Sequence, residues 1–127
     1  MQTQNESNPK IMFKNISSGM AACIQNCTNC YEACTQMITY CLEKGGKHSD
    51  SKHIQLLFDC AQVCNLSANF MMRNSESHSA ICTACAEICE ACSISCETLA
   101  ASDNEMKSIV EVCRKCATSC SDMGKMQ

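Results

Sequence analysis

Cys23, Cys27, Cys30 and Cys34 follow one another at steps of four, three and four residues. At about 3.6 residues per turn, those steps return to one side of a helix. Cys41, further along, falls inside the same arc of about 60°. The spacing therefore predicts a helix that carries thiols where other helices carry leucine. The same device recurs in Cys60 and Cys64, in Cys82, Cys85, Cys89, Cys92 and Cys96, and in Cys113, Cys116 and Cys120. Thiolates are soft ligands, and they select Cu(I), zinc or iron–sulfur clusters.

These three chemistries ask for different patterns. A structural zinc site closes with four ligands, usually from isolated cysteine pairs. Four thiolates on one zinc also leave two negative charges, which are costly in an apolar interior. An iron–sulfur cluster needs four cysteines, and although Cys82-x2-Cys85-x3-Cys89 resembles part of a ferredoxin run, no proline follows it. Cu(I) accepts two or three sulfurs, and bridging thiolates reach one metal per sulfur without net charge. A capacity on the order of fifteen Cu(I) per chain is predicted on that basis. A zinc-binding or thiol-redox buffering module is the alternative reading.

Disulfides fit the pattern poorly. Fifteen cysteines cannot all pair within one chain. Helical neighbours at i,i+3 or i,i+4 stand about 5–6 Å apart at Cβ, whereas a disulfide wants roughly 3.5–4.5 Å.

Some other residues share the sulfur stripe. Met37, Met106 and His53 lie on it near Cys41, and His78 lies on it at the opposite end; all four are candidate additional ligands. Ser67 stands where sulfur would be expected and is assigned to packing. Met12, Met20 and Met72 read as core or interface filler, and His48 as a solvated loop residue. Catalysis finds no support: a cysteine nucleophile needs a paired base and an open site. No phosphate loop or carboxylate pair stands out, and the chain is read as a non-enzyme.

The elements that position these groups follow from periodicity and caps. Residues 1–9 are expected to form a disordered tail, and residues 10–124 one metal-binding domain. Asn8-Pro9 offers a cap and a first helical position for a helix to about Lys44, stopped by Gly45-Gly46. Ser49 or Asp50 caps a second helix to about Arg73. A third runs from His78 to about Ala100. Ser102-Asp103-Asn104-Glu105 has the form of a capping box and opens a fourth, which ends at Gly124. Short polar turns make successive helices antiparallel neighbours. The fold class is all-α, an antiparallel up-down-up-down four-helix bundle. Counting outward from the turns brings Cys34 level with Cys60, Cys92 and Cys113. It brings Cys30 level with Cys64, Cys89 and Cys116, and Cys27 with Ser67, Cys85 and Cys120. Cys23 meets Met71, Cys82 and Met123, and Cys41 meets His53, Met106 and Cys96.

Composition agrees. With three Phe, two Tyr and no Trp against fifteen Cys and nine Met, the interior must contain sulfur. A net charge of −3 with mixed signs offers no basic patch for nucleic acid. No run of eighteen apolar residues suits a membrane, and no signal-like segment opens the chain. Reduced thiols place the protein in the cytoplasm.

With these motifs in view, the chain resembles the bacterial copper storage proteins, in particular their cytosolic branch. The carriers are Cys23-x3-Cys27-x2-Cys30-x3-Cys34-x6-Cys41, Cys60-x3-Cys64, the run from Ala80 to Cys96, and Cys113-x2-Cys116-x3-Cys120. The resemblance implies a bundle that holds many Cu(I) ions, commonly as a homotetramer. A copper chaperone or a low-molecular-weight thiol is the expected exchange partner. Cytosolic members often carry histidines in the last turn; here Ala100 to Asn104 has none. Where they carry further cysteines, this chain has Met37, His53, Met106 and Ile109. Either copper enters that end through thioether and imidazole, which is the expected port, or that end holds less copper.

Overall fold

The computed structural model describes residues 16–101 and 103–126. Four helices, α1 (Ser18–Lys44), α2 (Ser51–Met72), α3 (His78–Glu97) and α4 (Asn104–Gly124), form an antiparallel bundle. Each helix packs on two neighbours, α1 on α2 and α4, and α3 on α2 and α4. A 3-10 turn, Gly46–Ser49, links the first pair. The four-helix architecture expected from the spacing is therefore present, and among the described residues there is no strand.

The helix ends differ from expectation in instructive ways. Helix α1 starts at Ser18, not at Pro9: Ser17 is extended, and its Oγ accepts from Met20 N at 3.1 Å. Serine is a strong N-cap, and Gly19 beyond it is a poor helix former. The tail, the Asn8-Pro9 cap and Met12 lie outside the described residues. At the other end, Gly45 N donates to Cys41 O at 3.1 Å, and Gly45 and Gly46 have φ of 74° and 59°. Two consecutive left-handed residues suit glycine, so the helix stops there.

Asp50, rather than Ser49, caps α2, accepting from Lys52 N at 3.2 Å. Helix α3 ends at Glu97, about three residues short of expectation, and gives way to a turn over Thr98–Ala101. The cap of α4 is Asp103, one residue beyond the expected Ser102, which itself lies outside the described residues. The Asp103 carboxylate accepts from Glu105 N at 3.0 Å and Met106 N at 3.4 Å. Gly124, the last residue of α4, is fixed by space: a Cβ there would sit 3.2 Å from the Thr83 backbone of α3.

Every cysteine is fully buried. They share the interior with Leu57, Met71, Met106 and Ile109, all at most 2% exposed. Helix α3 is apolar and long enough, by composition alone, to cross a membrane, with a mean hydropathy of 1.3. Five cysteines contribute to that value, and each is turned into the bundle. Of the methionines assigned to filling, Met20 is buried, but Met72 is 40% exposed and lies outside the core.

Candidate metal centre

Because each helix carries its cysteines at steps of three and four, their side chains all project into one central column. The structure arranges ten of them as four overlapping tetrads, within each of which the sulfurs lie no more than 4.8 Å apart. In order along the axis they are Cys27/Cys85/Cys116/Cys120, Cys64/Cys85/Cys89/Cys116, Cys30/Cys60/Cys64/Cys89 and Cys30/Cys34/Cys60/Cys113. Each tetrad shares two sulfurs with the next: first Cys85 and Cys116, then Cys64 and Cys89, then Cys30 and Cys60. The tightest sulfur–sulfur contacts in the column are 3.4 Å, at Cys64–Cys89 and Cys27–Cys120.

The remaining cysteines extend the column. Cys23 lies 3.6 Å from Cys120, with Cys82 beside both. Cys92 stands among Cys34, Cys60 and Cys113, and Cys96 adjoins Cys92. All fifteen are free thiols. The vertical register counted from the turns is thus the register observed for the cysteines of the column.

Protons in this column are shared. Cys116 is lowered to about 7 by its side-chain contacts with Cys120 and Cys27. Cys30 is lowered by the thiols of Cys113 and Cys116. Their neighbours move the opposite way: Cys64 and Cys34 are pushed up by the adjoining sulfurs and by burial. Like charges this close cannot all ionise, so neighbouring thiols are driven in opposite directions and the metal-free column keeps shared protons. A soft monovalent ion can replace those protons one for one.

At the end of the column near the α1–α2 loop, the donor set changes. Cys41 Sγ lies 3.5 Å from His53 Nε2 and 4.0 Å from Met106 Sδ. His53 Nδ1 is 2.7 Å from Ser95 Oγ. Burial lowers the His53 pKa and favours the neutral ring, which can ligate. Burial raises Cys41 to about 11, with the Asp103 charge adding to the effect. His53 is only 4% exposed, yet it lines a surface cleft with Lys47, Ser95 and Leu99. Met37 takes a different place: it is buried in the α1–α4 seam beside Tyr40 and Ile109. Among the described residues, no thiol bonds its sulfur. His78 lies at the opposite end of the column, on the first turn of α3. Ser67 is fully buried, with its Oγ unpartnered among the described residues.

A polar clasp beside the His53 end was not foreseen. Asp103 accepts from Tyr40 Oη at 2.9 Å, and its Oδ2 lies 3.0 Å from His48 Nε2 and 3.4 Å from Lys44 Nζ. His48 is therefore not a solvated loop residue; its side chain is 15% exposed and pinned to α4. Burial works to raise the Asp103 pKa. Hydrogen bonds from Tyr40, His48 and the Met106 amide, with the Lys44 charge, outweigh it and hold the value at about 2. Tyr40 and His48 lie 63 and 55 residues from Asp103, so no local spacing in the sequence announces the clasp.

Comparison with known proteins places this geometry. A cysteine-rich protein of Bacillus subtilis, YhjQ, is 39% identical over 67 residues, 53% of this chain; the match spans 62% of that relative, less than two thirds of its length. Among solved structures, the Nmul_A1745 protein of Nitrosospira multiformis superposes with a TM-score of 0.81 at 41% identity, covering 86% of this chain and 97% of that one. Cu(I)-bound copper storage protein BsCsp3, from Bacillus subtilis, gives 0.77 at 34% identity over 84% and 99%. A cytosolic copper storage protein from Streptomyces lividans, loaded with five coppers, gives 0.74 at 29% identity over 86% and 94%. The family model for copper storage protein matches residues 16–125, the whole of the bundle, and the chain belongs to that family.

Proposed function

We propose that the protein sequesters Cu(I), on the order of one ion per cysteine, along the sulfur column of the bundle. The observation that carries this is the sharing of sulfurs between successive tetrads. Four separate tetrahedral zinc sites need sixteen ligands of their own, and the tetrads contain ten. Bridging thiolates suit a monovalent ion of low coordination number, for which each shared sulfur holds two metals. All fifteen cysteines serve as ligands in this reading, with His53 and Met106 at the port beside Cys41. Met37 is a weaker candidate, since it lies in the α1–α4 seam.

Loading proceeds by exchange without redox change. Cu(I) arrives on a carrier thiol or a chaperone, a core thiol gives up its proton, and copper keeps its charge. Burial then withholds the ion from oxygen and from other proteins. The role is storage, with no catalytic step. A cytoplasmic setting fits fifteen reduced thiols. The exposed apolar residues Leu42, Phe58, Leu66 and Ile94 supply surface for the proposed homotetramer.

Titration of the reduced protein with Cu(I) against a chromophoric chelator tests the proposal. Binding is expected to continue to roughly fifteen equivalents. Saturation at one to four ions, or preferential filling with zinc, would overturn storage in favour of a structural site or a zinc buffer.

A further inference from the structure

The end of the column formed by the α2–α3 turn holds a second imidazole. His78 Nδ1 lies 2.9 Å from the Ser75 carbonyl oxygen. A carbonyl only accepts, so the neutral ring carries its proton on Nδ1 and its lone pair on Nε2. That Nε2 is shut off from solvent and has no hydrogen-bond partner among the described residues. A buried acceptor left bare costs on the order of 1–3 kcal/mol, so its retention calls for an explanation. Donation of the other ring nitrogen to a backbone carbonyl is how ligating histidines are commonly oriented.

The surroundings supply the rest of a soft site. Cys82 follows four residues later on α3, on the same face and one turn inward. It is fully buried and meets Cys23 and Cys120, so it connects directly with the sulfur column. The thioether residues Met20, Met71 and Met123 are buried at this end of the bundle. We infer that His78 Nε2 and Cys82 Sγ seat one soft monovalent ion at this end. It is Cu(I) in the storage reading, on which this inference rests. Residues at i and i+4 on a helix can pinch a single metal between them. On binding, Cys82 releases its proton to solvent. The thiolate and the neutral imidazole then leave the seat uncharged, and no electron moves. Each end of the column thereby carries an imidazole whose Nδ1 is held, His53 beside Cys41 and His78 one helical turn from Cys82.

The test uses full-length reduced protein labelled with 15N in histidine, followed by NMR as Cu(I) is delivered from a chelator-buffered solution. The His78 Nε2 resonance is expected to move from its bare-lone-pair position to a metal-bound one while Nδ1 keeps its proton. His78→Gln, whose amide can still bond Ser75, is expected to lose about one equivalent of Cu(I) and to keep the apo circular dichroism. Cys82→Ser is expected to abolish the His78 shift while the other cysteines fill. A His78 Nε2 signal unmoved through a titration that fills the column would overturn the seat and leave storage standing. Saturation at one to four ions in all would overturn storage; a His78 shift within those few ions would still support the seat.

Discussion

Cys41 Sγ and His53 Nε2 stand 3.5 Å apart, with the imidazole clamped from behind by Ser95 Oγ at 2.7 Å. A thiol, an imidazole and the Met106 thioether thus converge where the column reaches a surface cleft. Such a mixed set binds Cu(I) more weakly than clustered thiolates, which suits a place that takes ions and passes them on.

His53→Ala is therefore expected to slow Cu(I) uptake by roughly ten- to a hundredfold, and Ser95→Ala by a smaller factor, the range typical of lost support around a ligand. Final capacity should fall by no more than about one ion. Stopped-flow transfer from a coloured Cu(I) chelator gives the rate, and the end point gives the capacity. Uptake at the wild-type rate in both variants would remove this end as the port.

The tetrad geometry makes individual cysteines unequal. Cys64 belongs to two tetrads, whereas Cys23 belongs to none and touches the column through Cys120 and Cys82. Cys64→Ser should cost about two Cu(I) equivalents and Cys23→Ser about one. The hydroxyl buried by the Cys64→Ser change should also lower apo stability by about 1–3 kcal/mol. Equal losses at the two positions, read by titration, would argue against shared sulfurs.

The column was legible because its signal is periodic: a step of three or four residues leaves Cys23 to Cys41 only one face to occupy, and short turns fix which cysteines meet. The caps were less so. The apolar pattern runs on through Ile16 and so does not mark where α1 begins; the extended Ser17 backbone with its bond to Met20 N sets that start. Likewise the capping box put the cap of α4 at Ser102, whereas the structure puts it at Asp103. What selects Asp103 is its simultaneous bonding to Tyr40 and His48, contributed from 63 and 55 residues away. Long-range polar contacts of this kind carry no local spacing. The orphaned Nε2 of His78 is equally silent in sequence, because only packing shows that nothing among the described residues satisfies it.

Alkaline pH should weaken the metal-free protein. Burial first, with the Asp103 charge, raises Cys41 to about 11. Cys82 is raised to about 12, its Cys23 contact and burial outweighing the lowering effect of Cys120. An unfolded thiol titrates near the ordinary value of 9.0. Above that pH the unfolded chain holds fewer protons than the folded one, so stability falls with rising pH. The contribution is fully present below 9.0 and is lost as pH passes through about 11 to 12. Denaturant unfolding between pH 7 and 11 should show a declining midpoint for apo protein and a flat one for the copper-loaded form. A flat apo profile would contradict the raised thiols.

Asp103 governs the acid limb by the opposite sign. Its folded value, about 2, lies below the ordinary 3.8. The stability it contributes is therefore present above pH 3.8 and lost as pH falls through about 2. Two functions are combined in this carboxylate: it caps α4, and it binds Tyr40, His48 and Lys44 from α1 and the connecting turn. Asp103→Ala removes both, and loss of an N-cap alone costs about 1 kcal/mol. A fall in melting temperature of roughly 3–8 °C at pH 7 is expected for a chain of this size. Asp103→Asn keeps a capping oxygen, since asparagine caps as well as aspartate, but it cannot titrate. It should melt closer to wild type at pH 7 than the alanine variant does. Its loss of stability between pH 4 and pH 2 should be shallower than that of wild type. Calorimetric melts of the three proteins at pH 7, 4 and 2 separate the two functions. Parallel acid curves for Asp103→Asn and wild type would show that the charge contributes nothing, and that the clasp acts through the cap alone.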